Sequence, residues 1–396
     1  MFAAGKKARM RGSNLQWPSA IMSDEALALL RALTGPTGIR ASLSTTANYE
    51  SVFTRDAVMG GVAGLMTGDR DVTAGLVRTL TRLRDLQGAE GQIASNYLIR
   101  PDGSARVSFG TLAPRIDSTT WYLIGVALAS RTRALDPAAF LESARAVVSL
   151  LNALEFNGRH LIYVPAGGNW ADEYVYDGYI LYDQVLRAWA LRLLDATFHE
   201  PAWRDKAEQI ELTIEDRYWP ADAADRRYPI AAFTPLGHRE VFDLAACSLM
   251  AASGMANRLT GIALDWIDQR FLARGELPPA FHPVIAEGDP DWSALRRYHL
   301  HEFRNRPHEY HNGGIWPIWL GWLGLGLARS GRLAELDQLR TLVDAQVRGN
   351  AEFQFHEYLH GTTGVPGGVT DMAYSATGLV FLEHAASDAQ VALFGA

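Results

Sequence analysis

Helical periodicity runs through this 396-residue chain from end to end, and it limits the possible folds more than any other feature. Apolar residues return at three- and four-residue spacing near 24–34, 56–67, 71–87, 118–132, 137–154, 181–195, 201–217, 240–255, 257–271, 313–329, 332–348 and 372–386. Alternating β-branched runs are almost absent, so the expected class is all-α. In Arg332 to Arg348 the residues Leu333, Leu336, Leu339, Val343 and Val347 share a face, and Gly349-Asn350 ends the helix. Asp136 and Pro137 supply a cap and a first turn for the segment ending at Leu154.

These segments come in a repeated order. One rich in Gly, Ala and aromatics is followed by an ordinary amphipathic one with charges on its outer face, as in Asp56 to Thr67 then Asp71 to Gln87. Twelve helices make six hairpins, and an inner ring covered on both sides closes them naturally. No fixed-period repeat points to a solenoid. The expectation is one (α/α)6 toroid over residues 23–396, preceded by a flexible segment, 1–22, that carries Lys6, Lys7, Arg9 and Arg11.

The net charge of -7 is spread along the chain, with no basic stripe for nucleic acid. The most apolar stretch, Gly313 to Ala328, is broken by Pro317 and further glycines and reads as a buried helix, not a membrane span. Neither nucleic acid nor membrane is expected as a partner. The basic start lacks the apolar run of a secretory signal, and the single cysteine, Cys247, excludes an internal disulfide. Both features point to the cytoplasm.

Long loops separate the helices, and loops of this length tend to carry function. Five of them place carboxylates beside aromatic, Asn, His and Gly residues just before an inner helix. They are Asn48-Tyr49-Glu50 to Arg55-Asp56, Arg115-Ile116-Asp117 to Tyr122, Asn169-Trp170-Ala171-Asp172-Glu173, His311-Asn312-Gly313-Gly314-Ile315-Trp316-Pro317, and His356-Glu357-Tyr358. Aromatic planes stack on sugar rings, and Asp, Asn, His and Arg bind vicinal hydroxyls, so the inventory suits a small carbohydrate.

Each cluster also has a plain structural reading. Asp56 and Asp117 could be helix N-caps, and Trp121, Trp170, Trp316 and Trp319 could be core residues, Trp319 above all. His308-Glu309-Tyr310-His311 has the wrong spacing for a helical zinc motif. There is no phosphate loop, serine elbow or CxxC pair, and no metal or cofactor is expected. The glycine-rich stretch Gly361 to Gly368 after Glu357 can bring backbone close to a ligand.

From about Tyr49 to Leu382 the chain resembles the (α/α)6-barrel glycoside hydrolases, in particular the neutral/alkaline invertases of glycoside hydrolase family 100 and the bacterial glycogen-debranching-like glucosidases. The resemblance rests on Asn48 to Asp56 (N-Y-x-x-V-F-x-R-D), Gly91-Gln92-Ile93-Ala94-Ser95-Asn96, Arg115-Ile116-Asp117-Ser118, Trp170-Ala171-Asp172 with Gly178-Tyr179 and Gln184, His311 to Pro317, and Glu357-Tyr358. His356, Thr119 and Ala373-Tyr374 depart from the pattern at positions near the sugar pocket.

The resemblance implies an exo-acting, anomer-inverting hydrolase that releases glucose from an α-glucoside such as sucrose or a short gluco-oligosaccharide. Asp117 would be the general acid, and Glu357 the base that activates water. Tyr49, Phe53, Arg55, Asp56, Trp121, Trp170, Asp172, Gln184, His311, Asn312, Trp316 and Tyr358 would bind substrate. A sugar epimerase, an inverting phosphorylase or a non-catalytic sugar-binding relative of the same fold are the alternatives. Oligomeric state is not legible, because a subunit interface and an outer helix face look alike.

Overall fold

The computed structural model describes residues 20–111, 113–155, 157–219, 227–297, 299, 302–348, 350 and 353–394. Its helices in chain order are α1 (Ala20–Leu33), α2 (Thr54–Thr67), α3 (Arg70–Asp85), α4 (Ile116–Arg131), α5 (Leu141–Leu154), α6 (Leu181–Phe198), α7 (Pro201–Arg217), α8 (Leu244–Ser253), α9 (Asn257–Arg270), α10 (Trp292–Arg297), α11 (Pro317–Arg329), α12 (Leu333–Arg348), α13 (Ala373–His384) and α14 (Asp388–Phe394).

Six of them form a closed inner ring. Helix α2 packs on α4, α4 on α6, α6 on α8, α8 on α11, α11 on α13, and α13 returns to α2. Outside them, α3, α5, α7, α9 and α12 each cover the inner helix that precedes them, while α1 covers α13 and completes the outer ring. The expected (α/α)6 toroid is therefore present. Inner helices are buried all round, as in Leu244–Ser253 of α8 and Pro317–Leu327 of α11. Outer ones bury a stripe, as α3 does with Val72, Leu76, Thr79, Leu80 and Leu83.

The tightest seam joins α11 and α13. A Cβ at Gly321 would overlap the backbone of Gly378, and one at Gly378 would overlap that of Pro317. Across the ring, Trp121 of α4 meets Trp322 of α11 at 5.7 Å between ring centroids, and Trp322 also packs on Trp189, Phe381 and Phe394. The far end of the barrel axis is filled by these rings, with α14 contributing Phe394. Among the described residues the end where the inner helices begin carries the buried carboxylates and aromatic rings instead.

Several expectations are corrected in detail. Short hairpins line the rim where strands seemed absent: Asn96–Ile99 pairs with Ala105–Ser108, Ala232–Thr234 with Gly237–Arg239, and Tyr358–Leu359 with Pro366–Gly367. Two- to four-residue strands are too short to leave an alternating pattern. Helices α10 and α14 were not foreseen, and α8 and α11 start four residues late because Phe242–Asp243 and the Gly313–Trp316 turn are extended. Asp136 caps a 3-10 turn, Pro137–Phe140, not α5 itself. Leu333 is 54% exposed and does not join the buried stripe of α12. The flexible segment expected over 1–22 falls outside the described residues up to position 19, and α1 already begins at Ala20. Gly349, proposed to end α12, also lies outside them.

The glycine seam gives a direct test. Gly378→Ala should destabilise the fold by about 1–3 kcal/mol or more through overpacking. Gly261→Ala, at an open position in α9, should stabilise it by about 0.5–1 kcal/mol. Urea unfolding of both variants checks the contrast, and equal effects would mean that the α11–α13 contact is looser than described.

Candidate active site

The open end of the barrel gathers the first turns of the inner helices. Asp117 is the second residue of α4 and fully buried; neither it nor Asp56 caps its helix, since the cap positions are Arg115 and Phe53 and both carboxylates lie in the first turn. Asp117 Oδ2 accepts from Arg55 Nη1 at 2.9 Å and from Tyr182 Oη at 3.3 Å, while Oδ1 has no hydrogen-bond partner among the described residues. Asp183, at the start of α6, is likewise buried with Oδ1 unpartnered among them. Burial, then the charge of Asp117, pushes its proton affinity well above the ordinary carboxylate range. Asp56 is raised to about 6, by burial opposed by Arg55 and reinforced by Asp117. The floor of the site thus holds Asp56 and Asp117 on the Arg55 guanidinium, with Asp183 buried close enough for the charge of Asp117 to act on it.

Nearer the rim lies a second group. Glu357 is 4% exposed, and its Oε1 accepts from Tyr49 Oη at 2.9 Å. Burial raises its pKa, against the opposing effects of Arg304 and Tyr49 and with a contribution from the charge of Asp172. Arg304 links two loops: it meets Glu173 Oε1 at 3.1 Å and Glu357 Oε2 at 4.0 Å, with its guanidinium 3.9 Å over the Tyr310 ring. Asp172, beside Glu173, is 25% exposed at its side chain and pairs with Arg115 at 2.5 Å. The glycine-rich stretch approaches a carboxylate here: Gly368 has φ +78, and a Cβ there would overlap Glu357 Oε2.

Aromatic rings wall the site. Trp170 stacks on Phe281 at 5.6 Å and meets His311, Trp316 and Trp319 edge-on. Trp316 packs between His311 and Tyr358, and Phe53 lies 6.1 Å from Tyr49. His311 is fully buried with both ring nitrogens unpartnered among the described residues, and burial holds it neutral, its pKa well below 6.5. The Nε1 atoms of Trp170 and Trp319 and the Tyr374 hydroxyl are also buried and unpartnered among the described residues. So many buried polar atoms without protein partners mark a polar site and not an ordinary apolar core.

Three residues expected to bind substrate are committed elsewhere. Trp121 donates Nε1 to Tyr182 Oη at 2.9 Å inside the axial cluster. Gln184 accepts from Ile162 N and donates to the carbonyls of Ile162 and Ile180. Asn312 brackets the Ile285 backbone and donates to Asn305 O. These bonds hold loops in the cases of Gln184 and Asn312, and join α4 to α6 in the case of Trp121. Conversely, Arg304, Asp183, Tyr182 and Tyr310 stand at the same end of the barrel but were not expected to bind substrate, and Glu173 was named only within its loop cluster. Asp183 stands one residue before Gln184 and Tyr310 one before His311, whereas Arg304 lies in an irregular loop with no periodic signal.

No protein-family model matches the sequence, and no curated protein matches it. Solved structures do match. A GH63 mannosylglycerate hydrolase from Thermus thermophilus in complex with glucose superposes with TM-score 0.66 at 14% identity, over 91% of this chain and 99% of that one. A wild-type glycosidase gives 0.66 at 13% identity, over 93% and 96%. A bacterial glucoamylase complexed with acarbose gives 0.64 at 15% identity, over 93% of this chain and 55% of that one. At these identities the likeness establishes the shared toroid.

The raised pKa of Asp56 carries a stability consequence. Between roughly pH 4 and 6 the native state keeps a proton that the unfolded chain has released, so this group's contribution to stability falls as pH rises through that window. Asp56→Asn should be more stable than the parent by about 1–3 kcal/mol at pH 7 and by little at pH 4. Urea unfolding at both pH values checks it, and a difference that does not change with pH would contradict it.

Proposed function

We propose that this chain is an exo-acting, anomer-inverting glycoside hydrolase that releases glucose from an α-glucoside, with Glu357 as general base and Asp172 as general acid. The observation that carries the reading is the rim arrangement, in which Arg304 joins Glu357 to the loop bearing Asp172 and the charge of Asp172 acts on Glu357. Two carboxyl groups held in one site are what protonation of a leaving oxygen and activation of water require.

This moves the acid from Asp117, the residue suggested by resemblance. A general acid must meet the glycosidic oxygen where an enclosed sugar passes into the open aglycone side. Asp117 is fully buried between Arg55 and Tyr182, on the floor, whereas Asp172 stands partly exposed at the rim. Asp117 Oδ2 is already engaged by Arg55 and Tyr182, which suits holding a sugar hydroxyl better than reaching a leaving oxygen. Asp117, Asp56, Arg55 and His311 then hold the sugar, with Trp170 and Trp316 as its walls.

The aromatic rings packed along the axis support exo action, since they leave no path for a through-running polymer. Glucose and acarbose in the neighbouring structures support a glucosyl unit, and the mannosylglycerate hydrolase supports a small solute as readily as an oligosaccharide. The lone Cys247 supports a cytoplasmic location.

The test is glucose release from sucrose, trehalose, isomaltose, maltose, short maltodextrins and glucosylglycerate, with NMR of the freshly formed anomer. One member should give β-glucose first, and Asp172→Asn and Glu357→Gln should each lower kcat by roughly 10²–10⁴. α-Glucose as the first product, or no release from any member, would overturn the reading.

A further inference from the structure

Helix α6 fastens the loop that precedes it at three points. Arg187 Nη1 donates to His160 O at 2.9 Å, and Gln184 brackets Ile162 with two bonds of 3.0 Å. Asp183 Oδ2 accepts from Asn169 Nδ2 at 2.8 Å, and Asn169 Oδ1 accepts in turn from the Ala171 amide at 3.1 Å. The first two rungs hold the outer part of the loop. The third closes on the short turn that contains Trp170 and leads into Asp172.

A carboxyl group at the Asp183 position is costly. It is 2% exposed, and among the described residues no cation pairs with it and its side-chain partner is an amide. An apolar residue of similar size would avoid that desolvation, so the group's use lies in directing the turn and not in overall stability. The charged groups around it are Asp117 and Asp243, whose fields, after burial, favour its protonated form, with Asn169 acting the other way. Its Oδ2 accepts from Asn169, while its Oδ1, like that of Asp117, is buried without a partner among the described residues.

We propose that Asp183 is a positioning residue for the reaction: through Asn169 and the Ala171 amide it sets Trp170 and Asp172 at the rim. This rests on the reading of Asp172 as the acid. Asp183 acts through Asn169, and its own contribution is orientation, for which a small misplacement of a reacting group costs as much as a lost contact.

The experiment compares Asp183→Asn, Asp183→Leu, Asn169→Asp and the exchanged pair Asn169→Asp with Asp183→Asn in the full chain. Hydrogen exchange is followed by mass spectrometry over residues 165–178, alongside thermal unfolding and, for the hydrolysed glucoside, kcat and KM. Asp183→Asn mimics the neutral acid and should stay within about threefold of wild type in kcat. Asp183→Leu and Asn169→Asp should speed exchange in the loop by about tenfold or more while the rest of the chain exchanges as before. Their kcat should fall by about tenfold or more with KM little changed. The exchanged pair restores the bond in reverse and should recover both readouts. Unchanged loop exchange in Asp183→Leu, or no recovery in the exchanged pair, would overturn the proposal. If Asp183→Leu does not fold, Asn169→Asp and the exchanged pair decide it. If no glucoside is hydrolysed, the exchange data still decide the clamp, and the hydrolase reading alone fails.

Discussion

The close approach of α11 to α13, glycine against backbone, is the contact on which the rest of the structure depends. It closes a ring of helices that have no face left for solvent, and a closed ring forces their first turns to converge at one end. The opposite end is occupied by large rings meeting across the axis. Packing at the seam and packing at the axis bring the inner-helix starts together at one end, where their backbone amides favour negative charge.

That floor and the rim above it distribute charge differently. Below, Arg55 is shared by Asp56 and Asp117 while Asp183 lies buried beside them; above, Arg304 stands between Glu173 and Glu357 and Arg115 holds Asp172. Burial raises the proton affinity of Asp56, Asp183 and Glu357, and the neighbouring guanidinium groups limit how far for Asp56 and Glu357. A molecule optimised for stability alone would not keep so many partly satisfied carboxyl groups in its interior, and the cost is consistent with a site arranged for a polar, neutral ligand and for proton transfer to and from it.

Much of this was legible in the sequence. The alternation of Gly- and Ala-rich segments with amphipathic ones carries the double ring, because a helix covered on all sides cannot show a polar face. The residue clusters ahead of inner helices mark the open end for the same reason: loops at that end carry polar groups that a core would reject. Side-chain direction was not legible. Gln184, Asn312 and Trp121 have the composition of sugar ligands, yet each is bonded to a partner far along the chain, a loop backbone for Gln184 and Asn312 and Tyr182 of α6 for Trp121. Arg304 reaches the rim from an aperiodic loop, and depth along the barrel, which separates Asp117 from Asp172, has no signature in spacing.

The assignment of the acid is tested most directly with α-glucosyl fluoride, whose leaving group departs without protonation. Asp172→Asn should hydrolyse the fluoride within about tenfold of wild type while losing roughly 10²–10⁴ on the natural glucoside, whereas Asp117→Asn should lose activity on both. Equal losses on the two substrates in Asp172→Asn, or the selective pattern in Asp117→Asn, would contradict the two-carboxylate rim described above.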